Sequence, residues 1–189
     1  MKHRILLSTS RSLRQPGAWG QAVFRLRSEG HKIVATSGSE LPDAWTDGPQ
    51  PRVLPGNIRS LMPEGVIPSK EAIRDYSAYR SSAGYAETHG MLLLMMSRVD
   101  STGTFRSLER EVLARKLHLE IFTALAEAQP TMGLFDVTPH EALDFALLRV
   151  LEWRKIPSLM FQPSLVGPQV MARTSLTDIL PLSLGSAVV

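Results

Sequence analysis

Hydrophobic and polar positions divide the chain into two regular parts around an irregular middle. Arg4 to Ser8 is short and apolar, and Ser8, Thr9, Ser10 and Ser12 follow it, so the pattern predicts a strand and then a loop. A helix fits Pro16 to Ser28: proline stands near its first turn, Ala22, Val23 and Leu26 share a face, and Gly30 closes it. After Gly30, HKIVATSG reads as a second short strand. Strand, helix and strand within about 37 residues have the size of a βαβ unit, and such units build parallel sheets.

The middle follows other rules. From Ser39 to Ser69 prolines and glycines recur, which excludes long regular elements and leaves a long loop with one short strand at Arg52 to Leu54. Ser69 suits the cap of a short helix reaching Ser77, with Glu71 and Ala72 in its first turn. The run MLLLMM, Met91 to Met96, fits a buried strand or a buried helix turn, and the polar SRVDSTGTF after it reads as a loop. Leu108, Val112, Leu113, Leu117, Ile121, Phe122 and Leu125 then recur at helical spacing, with Glu109, Arg110, Arg115, Lys116 and Glu120 on other faces. They predict the longest helix, Leu108 to Ala128, ended by Gln129-Pro130. TMGLFDV as strand, Pro139 to Arg154 as helix and IPSLMFQ as strand complete a second βαβ unit. The fold expected is α/β: one open, mostly parallel Rossmann-like sheet with helices on both faces. It forms a single domain over residues 1–165, with an irregular insertion at 39–69 and a C-terminal tail at 166–189.

Composition narrows the setting. A chain of 189 residues with 43% hydrophobic and 21% charged side chains buries one ordinary core. The net charge of +3 is spread along the chain, and a nucleic-acid partner would need clustering that is absent from the sequence. With no cysteine, disulfides, thiolate metal sites and a cysteine nucleophile are excluded. Met91 to Met96 is the longest apolar run, far short of the roughly 20 residues of a transmembrane helix. The apolar stretch Ile5 to Leu7 is too short for a signal peptide. The chain therefore reads as soluble and cytoplasmic.

Candidate chemistry gathers where strands end. In an open parallel sheet, ligands bind outside the carboxyl ends of the strands. Asp136, Thr138 and His140 occupy one such end, Ser8 to Ser12 another, and Arg98 with Asp100 a third if MLLLMM is a strand. A structural reading competes: Thr138, Pro139 and Glu141 approach a capping box, with Thr138 as N-cap. His140 would then lie in the first helical turn, where amides and dipole disfavour a positive imidazole, leaving either a base or a solvent-exposed side chain. Asp144, four residues on, would share its helix face and either orient it or solubilise the helix. Asp136, expected inside an apolar strand, needs a partner, and Arg98 is one candidate.

Other motifs carry less. GAWGQ, Gly17 to Gln21, has neither the glycine spacing of a dinucleotide fingerprint nor the lysine of a P-loop. His3, His31, His89 and His118 lack metal-ligand spacing, and no G-x-S-x-G elbow occurs, so no metal site is expected and a hydrolase is disfavoured.

The order MLLLMMSRVD, long helix, strand, TPHEALDFALLRVLEWRKIPSLMF resembles the amino-terminal half of bacterial capsule and surface polysaccharide biosynthesis proteins of glycosyltransferase type. Arg98, Pro139-His140, Asp144 and Lys155-Ile156-Pro157 carry the resemblance, which spans roughly Met91 to Pro163. It implies a GT-B-like architecture in which a first Rossmann-like domain contacts the acceptor and a second binds a nucleotide sugar. On that basis His140 is the candidate base, with Asp136 or Asp144 orienting it. Arg98 and Asp100 line the substrate with Thr138, and Ser8, Thr9 and Ser10 bond sugar hydroxyls. The nucleotide sugar is a substrate and no cofactor is implied.

The residues after Gln162 are too few for a second such domain, so the expectation is an acceptor-side domain whose donor site comes from a longer chain or a partner protein. The alternative is a non-catalytic Rossmann-like module of envelope polysaccharide assembly, docking through the apolar tail ILPLSLGSAVV.

Overall fold

The computed structural model describes residues 2–9, 18–37, 52–54, 67–100, 103, 105–163 and 170–176. Along the chain these form β1 (Arg4–Ser8), α1 (Ala18–Ser28), β2 (Lys32–Ser37), β3 (Arg52–Leu54), α2 (Lys70–Arg80) and α3 (Tyr85–Val99). Next come α4 (Ser107–Ala128), β4 (Met132–Phe135), α5 (Ala142–Trp153), β5 (Ser158–Pro163) and β6 (Val170–Arg173). The strands make one sheet in the order β3-β2-β1-β4-β5-β6, parallel except for β6, which runs antiparallel to β5. This is an open, mostly parallel Rossmann-like sheet.

Strand alternation sorts the core into two layers. Ile5, Leu7 and Leu134 pack with Val23, Trp19 and Leu26 of α1 on one face. Leu6, Ala35, Leu54, Phe135 and Met160 face α2 to α5 on the other. The split follows from handedness. The β1-α1-β2 crossover steps one way from β1 and the β4-α5-β5 crossover steps the other way, so right-handed connections place α1 and α5 on opposite faces. Gly133 lets α5 come close to β4, since a Cβ there would stand 2.8 Å from both Leu151 Cδ1 and Ser158 Oγ.

Polar contacts fix the frame at the end opposite the strand carboxyl termini. The Arg4 guanidinium donates from Nη2 to Ala128 O at 2.6 Å and from Nε to Gln129 O at 3.1 Å, satisfying carbonyls at the α4 C-terminus. Arg52 of β3 pairs with Glu120 and Glu127 of α4, both at 2.6 Å. Ser69 caps α2 by accepting from Ala72 N at 3.0 Å.

Several expectations are corrected here. MLLLMM lies within helix α3, so Arg98 and Asp100 do not follow a strand. Its continuous apolarity hid a helical period that only appears from Thr88, whose buried side chain continues at Leu92 and Met96. Helix α5 starts at Ala142 with Glu141 as N-cap, so Thr138 caps nothing and His140 precedes the helix. Leu108 and Val112 are exposed, and the buried stripe of α4 begins at Leu113. Strand β6 extends the sheet into residues expected as tail. The short strand at Arg52–Leu54 is present, while the rest of 38–66 lies outside the described residues, as do 177–189. Among the described residues no helix is long and apolar enough to cross a membrane.

Candidate functional site

Strands β1 and β4 are neighbours whose onward connections lead in opposite directions, which makes the gap beyond their carboxyl ends the topological switch point. The backbone continues there beyond the strands: Thr9 N donates to Ser37 O at 3.2 Å, and Asp136 N donates to Ser8 O at 3.1 Å. Ser8, Thr9, Ser37 and Asp136 are thereby held along one rim.

Side chains on this rim pair hydroxyl with carboxylate. Ser8 and Ser37 project to the α5 face, and their hydroxyls donate to the same oxygen, Asp144 Oδ1, at 2.5 and 3.2 Å. Asp144 stands in the first turn of α5 and is buried. Burial pushes its carboxyl above the ordinary aspartate range, and the nearby charges of Glu141 and Asp136 push the same way; the two serine hydroxyls act against them. Alongside, Thr9 Oγ1 donates to Asp136 Oδ2 at 2.8 Å. Asp136 is half-buried just after β4, so its side chain reaches the rim rather than the core.

The loop from β4 to α5 carries the remaining groups. His140 is exposed, and its Nδ1 lies 3.1 Å from Thr138 O. A carbonyl only accepts, so Nδ1 carries the proton in this bond. Thr138 Oγ1 donates to Gln162 Oε1 at 3.1 Å, and Arg173 Nη1 donates to the same oxygen at 3.3 Å. Thr138 thus links the histidine to the ends of β5 and β6.

Of the residues singled out from sequence, Ser8, Thr9, Thr138, Asp136, His140 and Asp144 are brought together at this rim. Their pairings differ from expectation. Asp144 is bound by serines on the buried side while His140 is exposed outside the helix, so Asp144 does not orient it; the Thr138 carbonyl does. Asp136 meets Thr9, and Arg98 is exposed in the last turn of α3. Asp100 is buried and organises the α3 to α4 connection, accepting from Phe105 N at 2.8 Å and Arg110 Nη2 at 3.2 Å. Ser10 lies outside the described residues. Lys155-Ile156-Pro157 joins α5 to β5 at the far end of the sheet, where Pro157 O accepts from Gly133 N. Two rim residues, Ser37 and Gln162, were not singled out from sequence. Each is a polar residue near the carboxyl end of its strand, and that position was the available signal.

What this arrangement offers is a buried hydroxyl–carboxylate network of Ser8, Thr9, Ser37 and Asp144 beneath the rim, with the half-buried Asp136 and the exposed imidazole of His140 above it. Among the described residues no group of three or more His, Asp or Glu is placed to hold a metal ion. Compared with family models, curated proteins and solved structures, the chain matches none.

Proposed function

We propose that the chain is the acceptor-side domain of a glycosyl-transfer system of surface polysaccharide biosynthesis, binding a saccharide on the carboxyl-end rim between β1 and β4. The observation that supports this reading is the convergence of Ser8, Thr9, Ser37, Asp136 and Asp144 at the switch point, paired hydroxyl to carboxylate. The buried pairs hold the rim in place, and the half-buried Asp136 carboxylate suits a polyhydroxylated ligand, whose hydroxyls would donate to it.

In this reading His140 Nε2 takes the proton of an acceptor hydroxyl. The freed oxygen attacks the anomeric carbon of a nucleotide sugar, and the bond from that carbon to the diphosphate breaks with its electrons leaving on the phosphate. A second domain or a partner supplies the donor site. The expected effect of His140→Ala, in the chain joined with its donor side, is a transfer rate lower by about 10²- to 10⁴-fold at nearly unchanged saccharide affinity. Unchanged transfer in that variant removes the histidine from the chemistry.

One observation favours a second reading, a non-catalytic binding module. Behind His140 stands a carbonyl rather than a carboxylate, so the ring has no acidic partner among the described residues to stabilise its charged form. A module would bind saccharide with the same affinity in wild type and His140→Ala and would support no transfer with any donor partner.

A further inference from the structure

Gln162, next to last in β5, lies on the same face as Met160, because alternate strand residues share a face. Both donors on its side chain point to one atom. Thr138 Oγ1 and Arg173 Nη1 donate to Oε1, and since a guanidinium never accepts, the amide cannot be turned around. The carboxamide is therefore locked with its oxygen toward Thr138 and Arg173 and its NH₂ group turned away. Among the described residues no side chain or backbone carbonyl takes that NH₂ group, and Gln162 is only half-buried.

The location gives this donor a use. Thr138, which fixes the amide oxygen, is the residue whose carbonyl holds the His140 ring, and it lies two residues past Asp136. The oriented NH₂ group consequently stands on the same loop-and-strand rim as the carboxylate of Asp136 and the imidazole of His140. The rim is then unlike on its two sides: the half-buried Asp136 carboxylate after β4 calls for ligand hydroxyls, whereas an amide donor over β5 calls for an acceptor oxygen.

We propose that Gln162 is a ligand-binding residue of the rim, donating from its locked amide to a carbonyl or carboxylate oxygen of the bound saccharide. The inference rests on the saccharide reading above. Because a carbonyl or carboxylate oxygen is a stronger acceptor than a hydroxyl, it favours a sugar carrying an N-acetyl group or a uronate over one bearing hydroxyls alone.

Gln162→Glu separates this role from a structural one. Glutamate keeps an oxygen for Thr138 and Arg173, replaces the NH₂ donor by an acceptor and adds a negative charge, so the titration uses an uncharged N-acetylated glycan as well as a uronic one. The full chain, wild type and variant, is applied to an array of N-acetylated, uronic and unsubstituted bacterial oligosaccharides, and the best-bound glycans are then titrated against both proteins. The expected result is binding of a substituted glycan by wild type, an affinity lower by about tenfold or more in Gln162→Glu, and an unlowered melting temperature. Equal affinity in the two proteins, or wild-type preference for unsubstituted glycans, overturns the role of Gln162 while leaving the saccharide reading standing. Wild type binding no glycan at all overturns both. Gln162→Met, which removes both the donor and the acceptor, serves as the second variant: a loss of affinity matching that of Gln162→Glu supports the proposal, and full affinity in Gln162→Met overturns it.

Discussion

A carboxylate with 8% of its surface exposed, held by two serine hydroxyls on one oxygen, is under opposing demands. Taking the charge of Asp144 out of water disfavours ionisation, while the hydroxyls favour it, and burial is the larger influence. The folded group titrates above its unfolded counterpart. Its contribution to stability is therefore complete below the unfolded aspartate range and declines as pH rises through the folded value. Asp144→Asn keeps an oxygen for Ser8 and Ser37 and has no charge to desolvate, so its stability at neutral pH should equal or exceed that of wild type. Asp144→Ala leaves both hydroxyls without their acceptor and should lower stability by about 1–3 kcal/mol. Urea unfolding of the three proteins decides the matter, and Asn as damaging as Ala would show that the negative charge itself is required. At this scale the sequence was informative about identity and silent about pairing. Asp136, Thr138, His140 and Asp144 are conspicuous in an apolar stretch, but Ser8 is 136 residues from Asp144 and Ser37 is 107 away, separations that periodicity does not bridge.

Elements whose ends carry distinct chemistry were readable from the chain. Helix α4 ends where Gln129 adopts a left-handed φ of 44° before Pro130, and β1, β2 and β3 fall within a residue or two of their expected limits. Helix α3 was ambiguous because six apolar residues in a row fit either period, and α5 starts later than expected because Thr138 spends its hydroxyl on Gln162. The helices also meet in an aromatic interface that no local pattern announces. His118 of α4 has no exposed surface, stacks on Tyr76 of α2 at 5.5 Å, and lies near Tyr79 and Tyr85. Its Nδ1 donates to Ala114 O at 2.8 Å, and its Nε2 has no partner among the described residues. Burial pulls its pKa down to about 4; the Ala114 carbonyl opposes this, and His89 adds to the lowering. The unfolded chain therefore binds a proton that the folded chain refuses. Stability is highest above the unfolded histidine range and falls as the medium is acidified from there to about pH 4, by about 3 kcal/mol in total. His118→Phe preserves an aromatic stack without a titrating nitrogen, and denaturant titrations between pH 7 and pH 4 should show a shallower decline for it. Parallel declines in variant and wild type would assign the acid sensitivity elsewhere.

For the whole molecule, two βαβ units recognised from their spacing were enough to place the parallel sheet, and the strand order then determines where a ligand belongs. Counting units left open which edge each would join, because β3 and β6 are only 3 and 4 residues long and carry no pattern of their own. That order puts β1 beside β4 and makes their carboxyl ends the switch point, where residues from β1, β2, the loop after β4 and α5 converge. Of the segments that carried the glycosyltransferase resemblance, Pro139-His140 and Asp144 reach this rim, whereas Lys155-Ile156-Pro157 lies at the opposite end and Arg98 sits on an outer helix. The most direct measurement is backbone amide shift mapping of the full chain, titrated with the N-acetylated and uronic oligosaccharides of bacterial surfaces. The account predicts saturable shifts centred on Thr9, Ser37, Asp136, His140 and Gln162, with the amino-terminal ends of the strands unmoved. Saturable shifts centred elsewhere, or none with any saccharide, would contradict it.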